Sequence, residues 1–300
     1  MYDIIVIGAG PAGMTAALYA LRADKSVLVI EKGSFGGQIT FSPKVENYPG
    51  FIEMSGNEFA DKLLDQIMAQ GAEIELGKVT EIKNLPDRKV VVTEDASFEA
   101  KAVIIATGVK HRMLGIEGEE AFVGNGISFC AVCDGAFYRG KNVAVIGGGN
   151  SALQEAILLT ENASKVTVVQ NLDYFTGEVR LVKALEEKDN VDFIMGATVK
   201  SIISESGDFK GITVSTSDGE KALPCDGMFI AIGLIPENEP FKELAELNSY
   251  GYFDSDEGCT TKTDGLFVAG DCRSKRIRQV TTATADGAVA ALAACEYLGH

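Results

Sequence analysis

An α/β protein of two Rossmann-like, three-layer domains, the first of them discontinuous, is what the sequence predicts, on three observations. A strand, glycine turn, helix and strand open the chain in YDIIVIGAGPAGMTAALYALRADKSVLVIEK. A second such unit starts near 142 in NVAVIGGGNSALQEAILLTENASKVTVVQN. The segment 241–300 begins no third unit and is expected to return and complete the first domain. A length of 300 residues suits two domains of about 100–200 residues each.

Each element has its own reason. IIVI is a continuous apolar run, as in a parallel strand buried on both faces. Gly8, Gly10 and Gly13 form G-x-G-x-x-G, and Pro11 opens the helix where its missing N–H is no loss. Glu31 ends the second strand. The second unit repeats the plan with Gly147, Gly149 and Ala152. Each unit is later followed by a strand ending in small residues, VIIATG (103–108) and MFIAIG (228–233). GLFVAGD (265–271) is then a strand, and a helix is expected from about 280 to 298. The crossings are expected near 109–113 and 234–238, beside Gly108, Gly233 and Pro236, so the domains read as 1–112, 113–238 and a return segment, 239–300.

The bulk numbers exclude several classes of function. A formal net charge of −16 argues against a nucleic-acid partner, which needs a basic face. No stretch approaches the length of a membrane helix; AVAALAACEYL (288–298) is short and holds Glu296. MYDIIVIGAG runs straight into a strand with no basic leader, so a cytoplasmic protein is expected. His111 and His300 leave little material for a metal site, and none is expected.

The glycine turn carries the first piece of chemistry. G-x-G-x-x-G brings backbone N–H groups at a helix start close to a pyrophosphate, and a carboxylate at the end of the next strand can accept from ribose hydroxyls. Here the turn follows a strand, opens a helix and is trailed by Glu31, the context that confirms it. The second piece is FCAVCDGAFYRG (129–140), with Cys130 and Cys133. C-x-x-C pairs have lowered thiol pKa values and act by thiol–disulfide exchange. Half a zinc site and two packed thiols are the alternatives, although a zinc site needs about four ligands. A carboxyl beside the pair, Asp134, can protonate a departing thiolate, or simply cap a turn. Cys225, Cys259, Cys272 and Cys295 are isolated and expected to be buried.

GAGPAGMTAALYALR, GGQI (36–39), VENYPGF (45–51), ATG (106–108), CAVCDG and LFVAGDCRSKRIRQVTTATADGAVAA (266–291) together resemble the small thioredoxin reductases, over nearly the whole chain and in the same order. The resemblance implies FAD in the first fold. It places at the cofactor Gly8, Ala9, Gly10, Pro11, Ala12, Gly13, Glu31, Lys32, Gly37, Gln38, Asn47, Val79, Ala106, Thr107, Gly108, Gly270, Asp271, Arg278, Gln279 and Val280. Asp271 would bind the ribitol, and Arg278 to Val280 would run along the cofactor. It also implies that Cys133 faces the flavin, Cys130 attacks the disulfide of thioredoxin, and Asp134 is the general acid. Members of that family are homodimers whose two domains rotate against each other.

One stretch departs from the pattern. The family follows the strand matching VTVV with a His-Arg-Arg run and a further Arg that grasp the 2′-phosphate of NADPH. Here those positions are Gln170, Asn171, Leu172 and Thr176. Each charge-assisted hydrogen bond is worth about 1.5–3 kcal/mol, so losing two lowers affinity on the order of 10² to 10⁴. Arg180 or Lys183 reaching the phosphate is the alternative. The sequence therefore resembles the ferredoxin-dependent flavin thioredoxin reductases, which keep FAD and C-x-x-C without working NADPH motifs. Ferredoxin is usually acidic, so docking needs a local cationic patch. Arg273, Lys275 and Arg276, with Arg278, lie just after Asp271 and are the expected patch.

Overall fold

The computed structural model describes residues 1–42 and 44–299; His300 lies outside the described residues. The chain divides into two compact units, one of 1–110 with 235–300 and the other of 111–234. The crossings thus fall two and four residues before the boundaries read from the sequence.

The first unit begins with strand β1 (Tyr2–Ile7), helix α1 (Pro11–Arg22) and β2 (Val27–Glu31). Helix α2 (Gly56–Ala69) and strands β3 (Glu73–Leu76), β4 (Val79–Asn84), β5 (Lys89–Thr93) and β6 (Ser97–Ile105) follow. The sheet runs β3-β2-β1-β6-β5-β4. β1, β2, β3 and β6 are parallel to their neighbours in that order, whereas β4 and β5 join β6 as an antiparallel meander. The apolar run of β1 alternates between two cores. Ile4 and Val6 pack with α1 and α2, and Ile5 and Ile7 face the opposite side with Phe241 and Phe253. That is why the strand reads as unbroken IIVI: both faces are covered.

The short strand β7 (Val109–His111) leads into the second unit. There β8 (Ile127–Ser128), helix α3 (Ala131–Asp134), β9 (Asn142–Ile146), helix α4 (Asn150–Thr160), β10 (Lys165–Val169), helix α5 (Val179–Glu186) and β11 (Val191–Ile194) succeed one another. A meander of β12 (Thr198–Glu205), β13 (Asp208–Thr216) and β14 (Gly219–Pro224) comes next, then β15 (Gly227–Ile230). The parallel sheet is β11-β10-β9-β15-β8. Val143, Val145, Val166 and Val168 pack under α4 and α5, and Ala144, Ile146 and Met228 under the meander. Helix, sheet and meander are the three expected layers.

β16 (Leu234–Pro236) pairs with β7 as the chain crosses back. The return segment supplies β17 (Leu266–Val268), parallel to the C-terminal half of β6, and helix α6 (Val280–Leu298), which packs on α1. The helices can approach because Gly287 has no side chain: a Cβ there would lie 2.2 Å from Ala12 O.

Candidate active site

The first glycine turn has no room for side chains where the chain bends. Gly8 holds φ +103°, and a Cβ on it would lie 2.4 Å from Ala106 O. A Cβ on Gly13 would lie 1.8 Å from Gly8 O, so helix α1 rests directly on the turn. Gly10, the residue before α1, has open space on its Cβ side, with only Gly36 O at 3.9 Å. Pro11 and Ala12 follow it without any side-chain cap, which leaves the first helix N–H groups free for a ligand. Gly37, at φ +60°, lies against Gly10, and Gln38 follows it in a 3-10 turn.

Glu31 is set at the end of β2 by two backbone donors, Ala9 N–H at 2.8 Å and Gly33 N–H at 2.9 Å. Lys32 next to it turns to Glu237, which also pairs with Lys110. Ala106, Thr107 and Gly108 close β6; Thr107 Oγ1 is 3.3 Å from Asn238 Oδ1. Val79 is buried in β4, opposite Thr93. Asn47 donates to Gln279 Oε1 at 3.3 Å, and the Gln279 N–H donates to Thr282 Oγ1, capping α6 ahead of Val280.

Asp271 supplies the test of cofactor fit. It sits in the Gly270–Cys272 3-10 turn, and its buried Oδ1 has no hydrogen-bond partner among the described residues. Burial pushes its pKa up to about 6, against the pull of Lys275 and Arg278. A buried carboxylate oxygen left without a donor is what a polyol hydroxyl would satisfy, and FAD's ribitol brings such hydroxyls. Arg278 stacks its guanidinium over Tyr252 at 4.2 Å and donates to the carbonyls of Asp271, Arg273 and Lys275. The turn, Glu31 and Asp271 together fit the dinucleotide.

The cationic patch does not exist as a surface. Arg273 is 5% exposed, and its Nη1 pairs with Asp286 Oδ1 at 2.9 Å. Lys275 Nζ pairs with Asp286 Oδ2 at 2.8 Å. Gly270 N–H also donates to that oxygen, at 3.1 Å. The charges are spent on tying the Gly270–Cys272 turn to α6. Of the expected trio only Arg276 is exposed. Docking of ferredoxin on Arg273 and Lys275 is thereby corrected.

In the second unit Cys130 and Cys133 are joined as a disulfide, with Cα atoms 5.3 Å apart. The first turn of α3 brings them together, with Cys130 as its N-cap and Cys133 three residues on. Cys133 N–H donates to Cys130 Sγ at 3.2 Å, a bond that would favour a thiolate there after reduction. Val132 between them is 59% exposed, while both cysteines are half-buried. Ser128, which the sequence did not single out, organises the site. Its Oγ accepts from Cys130 N–H at 3.1 Å and donates to Asp134 Oδ2 at 2.6 Å. Asp134 Oδ1 is buried without a partner among the described residues, and burial raises the pKa of the carboxyl. Burial thus makes Asp134 a readier proton acceptor than an exposed aspartate. Glu155 on α4 also escaped sequence reading; burial lifts its pKa to about 8. The other four cysteines are buried and unbridged. No group of His, Cys, Asp or Glu among the described residues could hold a metal ion. No helix among the described residues is long and apolar enough to cross a membrane.

The second glycine turn is enclosed by its own loop. Gln170 is 4% exposed and packs so closely that a Cβ on Gly148 would lie 2.4 Å from its Cδ. Its amide is engaged at both ends, donating to Tyr174 O at 3.2 Å and accepting from Asn171 N–H at 3.1 Å. Thr176 and Gly177 donate their N–H groups to Gly148 O at 2.9 and 3.0 Å. Glu178 exchanges hydrogen bonds with Asn150, the first residue of α4, at 2.7 and 3.1 Å. Arg180 is turned to Glu178, and Lys183 is exposed on α5.

The pyridine nucleotide-disulphide oxidoreductase family model matches residues 2–287. The thioredoxin reductase of Bacillus subtilis is 43% identical over 99% of this chain and 95% of its own length. A 34.2 kDa protein in the rubredoxin operon of Clostridium pasteurianum is 43% identical over 99% and 97%. The crystal structure of thioredoxin reductase from Streptococcus pyogenes superposes with a TM-score of 0.95 at 44% identity, covering 99% of this chain and 98% of that one. A flavin-ready first fold, a C-x-x-C disulfide in the second and this likeness over the full length agree: the chain belongs to the pyridine nucleotide-disulphide oxidoreductase family and, within it, to the FAD-binding low-molecular-weight thioredoxin reductases.

Proposed function

We propose that the protein reduces the disulfide of thioredoxin through Cys130 and Cys133, and that its electrons come from reduced ferredoxin rather than from NADPH. The observation that carries the choice of donor is the loop after β10. Gln170, Asn171, Leu172 and Thr176 offer no cation to a 2′-phosphate. Gln170 is committed to its own loop, which weakens the NADH alternative as well. Glu178 puts a carboxylate beside the first residue of α4, where a pyrophosphate would need positive potential.

FAD, when bound, accepts electrons one at a time and passes them on as a pair, which a one-electron donor and a two-electron disulfide require. The chain's own residues do the rest. The glycine turn, Glu31 and Asp271 hold the cofactor. Asp134, oriented by Ser128, gives a proton to the sulfur released when the disulfide opens. Cys130, with its sulfur held by the Cys133 N–H, is the nucleophile toward thioredoxin. Val132 offers an apolar contact beside it. Energetically, ferredoxin near about −400 mV and thioredoxin near about −270 mV leave a drop of about 130 mV, roughly 6 kcal/mol for two electrons. Likeness to the small thioredoxin reductases supports a cytoplasmic homodimer, and sedimentation equilibrium would test the dimer.

The opposing reading is ordinary NAD(P)H use. The family name and the retained turn of Gly147 and Gly149 favour it: Gly147 keeps φ +129° against Ala231 O. Anaerobic mixing decides between them. Reduced ferredoxin should bleach the flavin band and sustain thioredoxin reduction, while NADPH and NADH at about 100 μM, inside the ordinary KM range, should not. Rapid bleaching by NADPH would end the ferredoxin proposal.

A further inference from the structure

Two carboxyl oxygens in the second unit are buried with no hydrogen-bond partner among the described residues: Asp134 Oδ1 and Glu155 Oε2. They belong to helices that pack together, α3 and α4. The Glu155 carboxyl meets the Ala131 amide at the start of the C-x-x-C helix and feels the charge of Asp134 at its end. A carboxylate in such surroundings is poorly solvated and two together repel, so the pair is more stable with one proton on it than with none. The thioredoxin-directed chemistry proposed above uses Asp134 and leaves Glu155 without a task.

We propose that Glu155 is the proton reservoir of the Cys130–Cys133 couple, a positioning residue that holds a proton and passes it through Asp134 to the sulfur released when the disulfide opens. The inference deepens the proposed disulfide chemistry and rests on it, but not on the identity of the donor. The S–S bond takes up an electron pair, from the flavin or from an added dithiol, and breaks. The proton held on Glu155 moves to Asp134 and on to the leaving sulfur, so Asp134 ends as it began, a carboxylate. Glu155, left as a carboxylate, recovers its proton from solvent, as does the second sulfur.

The surroundings of Glu155 support a reservoir. From α3 it is faced by Asp134 and the Ala131 amide. Tyr138 in the following 3-10 turn faces Asp134 rather than Glu155; burial pushes its hydroxyl up to about 12, with Asp134 adding to the rise. Helix α5 packs on α4, but its charged residues Arg180, Lys183 and Glu186 are exposed. β9 and β10 present Val143, Val145, Val166 and Val168 to the same core. Burial and Asp134 raise the Glu155 pKa to about 8 and the Ala131 amide opposes them, so the proton is held at neutral pH and lost just above it.

The test uses the full-length holoprotein with dithiothreitol as electron source, so NADPH, ferredoxin and thioredoxin are not involved. Opening of the disulfide is followed by quenching and thiol alkylation from about pH 6 to about pH 9.5, with rates corrected for the thiolate fraction of the reagent. The wild-type rate should fall through an inflection near pH 8. Glu155→Gln should lose that inflection and run about tenfold slower at pH 7. Asp134→Asn with Glu155→Gln should be no slower than Asp134→Asn alone, because both act on one path. An unchanged pH profile in Glu155→Gln, or losses that multiply in the double variant, would overturn the proposal. If Glu155→Gln does not fold, infrared spectra of the Asp134→Asn holoprotein provide the alternative. A protonated-carboxyl band that disappears as pH rises through about 8 supports the reservoir, and its absence at neutral pH refutes it. A wild-type disulfide that dithiothreitol cannot open at all would instead count against the disulfide chemistry itself.

Discussion

Replacing Asp286 with Asn tests how far the cationic stretch is structural. The Asp286 carboxylate takes Arg273 at 2.9 Å and Lys275 at 2.8 Å, with side-chain exposures of 13%, 6% and 10% in that order. Asn keeps the shape and removes the charge, leaving two nearly buried cations without their anion. Removing one partner of a buried ion pair costs about 3–5 kcal/mol, most of it the penalty of the stranded charge. Arg273 keeps hydrogen bonds to Ser255 and to Asp256 O, which offsets part of that loss. We expect the apoprotein to lose about 3–4 kcal/mol by urea unfolding followed by circular dichroism. FAD affinity should also fall by about tenfold or more, equal to about 1.4 kcal/mol, because the carboxylate anchors the Gly270 amide beside Asp271. Arg273→Glu and Lys275→Glu should destabilise in the same way. A loss below about 1 kcal/mol in all three variants, with a changed salt dependence of turnover, would refute the structural reading and restore the surface patch.

Three further outcomes follow from the site. The Glu155 pKa is raised from 4.5 to about 8, so its stabilising proton is fully present below pH 4.5 and lost as pH rises through 8. Glu155→Gln should therefore gain on wild type over that window, by an amount on the order of 4 kcal/mol at its upper end, measured as unfolding free energy against pH. Asp271, raised from 3.8 to about 6, must ionise to accept fully from a hydroxyl, so apoprotein affinity for FAD should rise between pH 5 and pH 7. Asp271→Asn should flatten that rise in a fluorescence titration. Restoring cations with Asn171→Arg and Leu172→Arg should return about 3–6 kcal/mol of phosphate binding, read as faster flavin bleaching by NADPH than by NADH.

The sequence made the architecture readable because its signals are local. Two glycine turns between apolar runs name two parallel sheets, and a third segment with a strand but no turn can only rejoin an earlier one. The roles of Gly8 and Gly13 were equally legible, since a helix that starts on a strand's end leaves no room for a Cβ. Charges were legible in identity and not in direction. Arg273 and Lys275 sit among polar residues in CRSKRIRQ and read as surface, but their anion is Asp286, more than ten residues on in a helix. A usable clue was present: Asp286 lies three residues after Ala283 and four before Ala290, both buried, so its side chain had to face inward. Glu155, between Ala152 and Leu159 at the same spacings, carried the same clue. An acid on the apolar stripe of a helix announces a buried partner or a retained proton. Ser128 offered no such signal, because its role depends on the bend that returns Asp134 to it.

Withdrawing Arg273 and Lys275 from the surface changes what a ferredoxin would meet. The chain carries 27 basic and 43 acidic residues, a net charge of −16. With those two cations paired internally, less positive charge is available to steer an acidic donor. Long-range forces between two acidic proteins are repulsive, and salt screens them over a Debye length of about 10 Å at 0.1 M. Raising ionic strength from about 10 mM to about 150 mM should then speed ferredoxin-driven flavin reduction, measured at ferredoxin concentrations where encounter limits the rate. A steered complex would behave oppositely, slowing steeply with salt. If it slows, a cationic face other than the 273–276 stretch guides the donor. Lys32 and Lys110 would be the first to exchange for Glu, because both already share Glu237 at the edge of the cofactor fold.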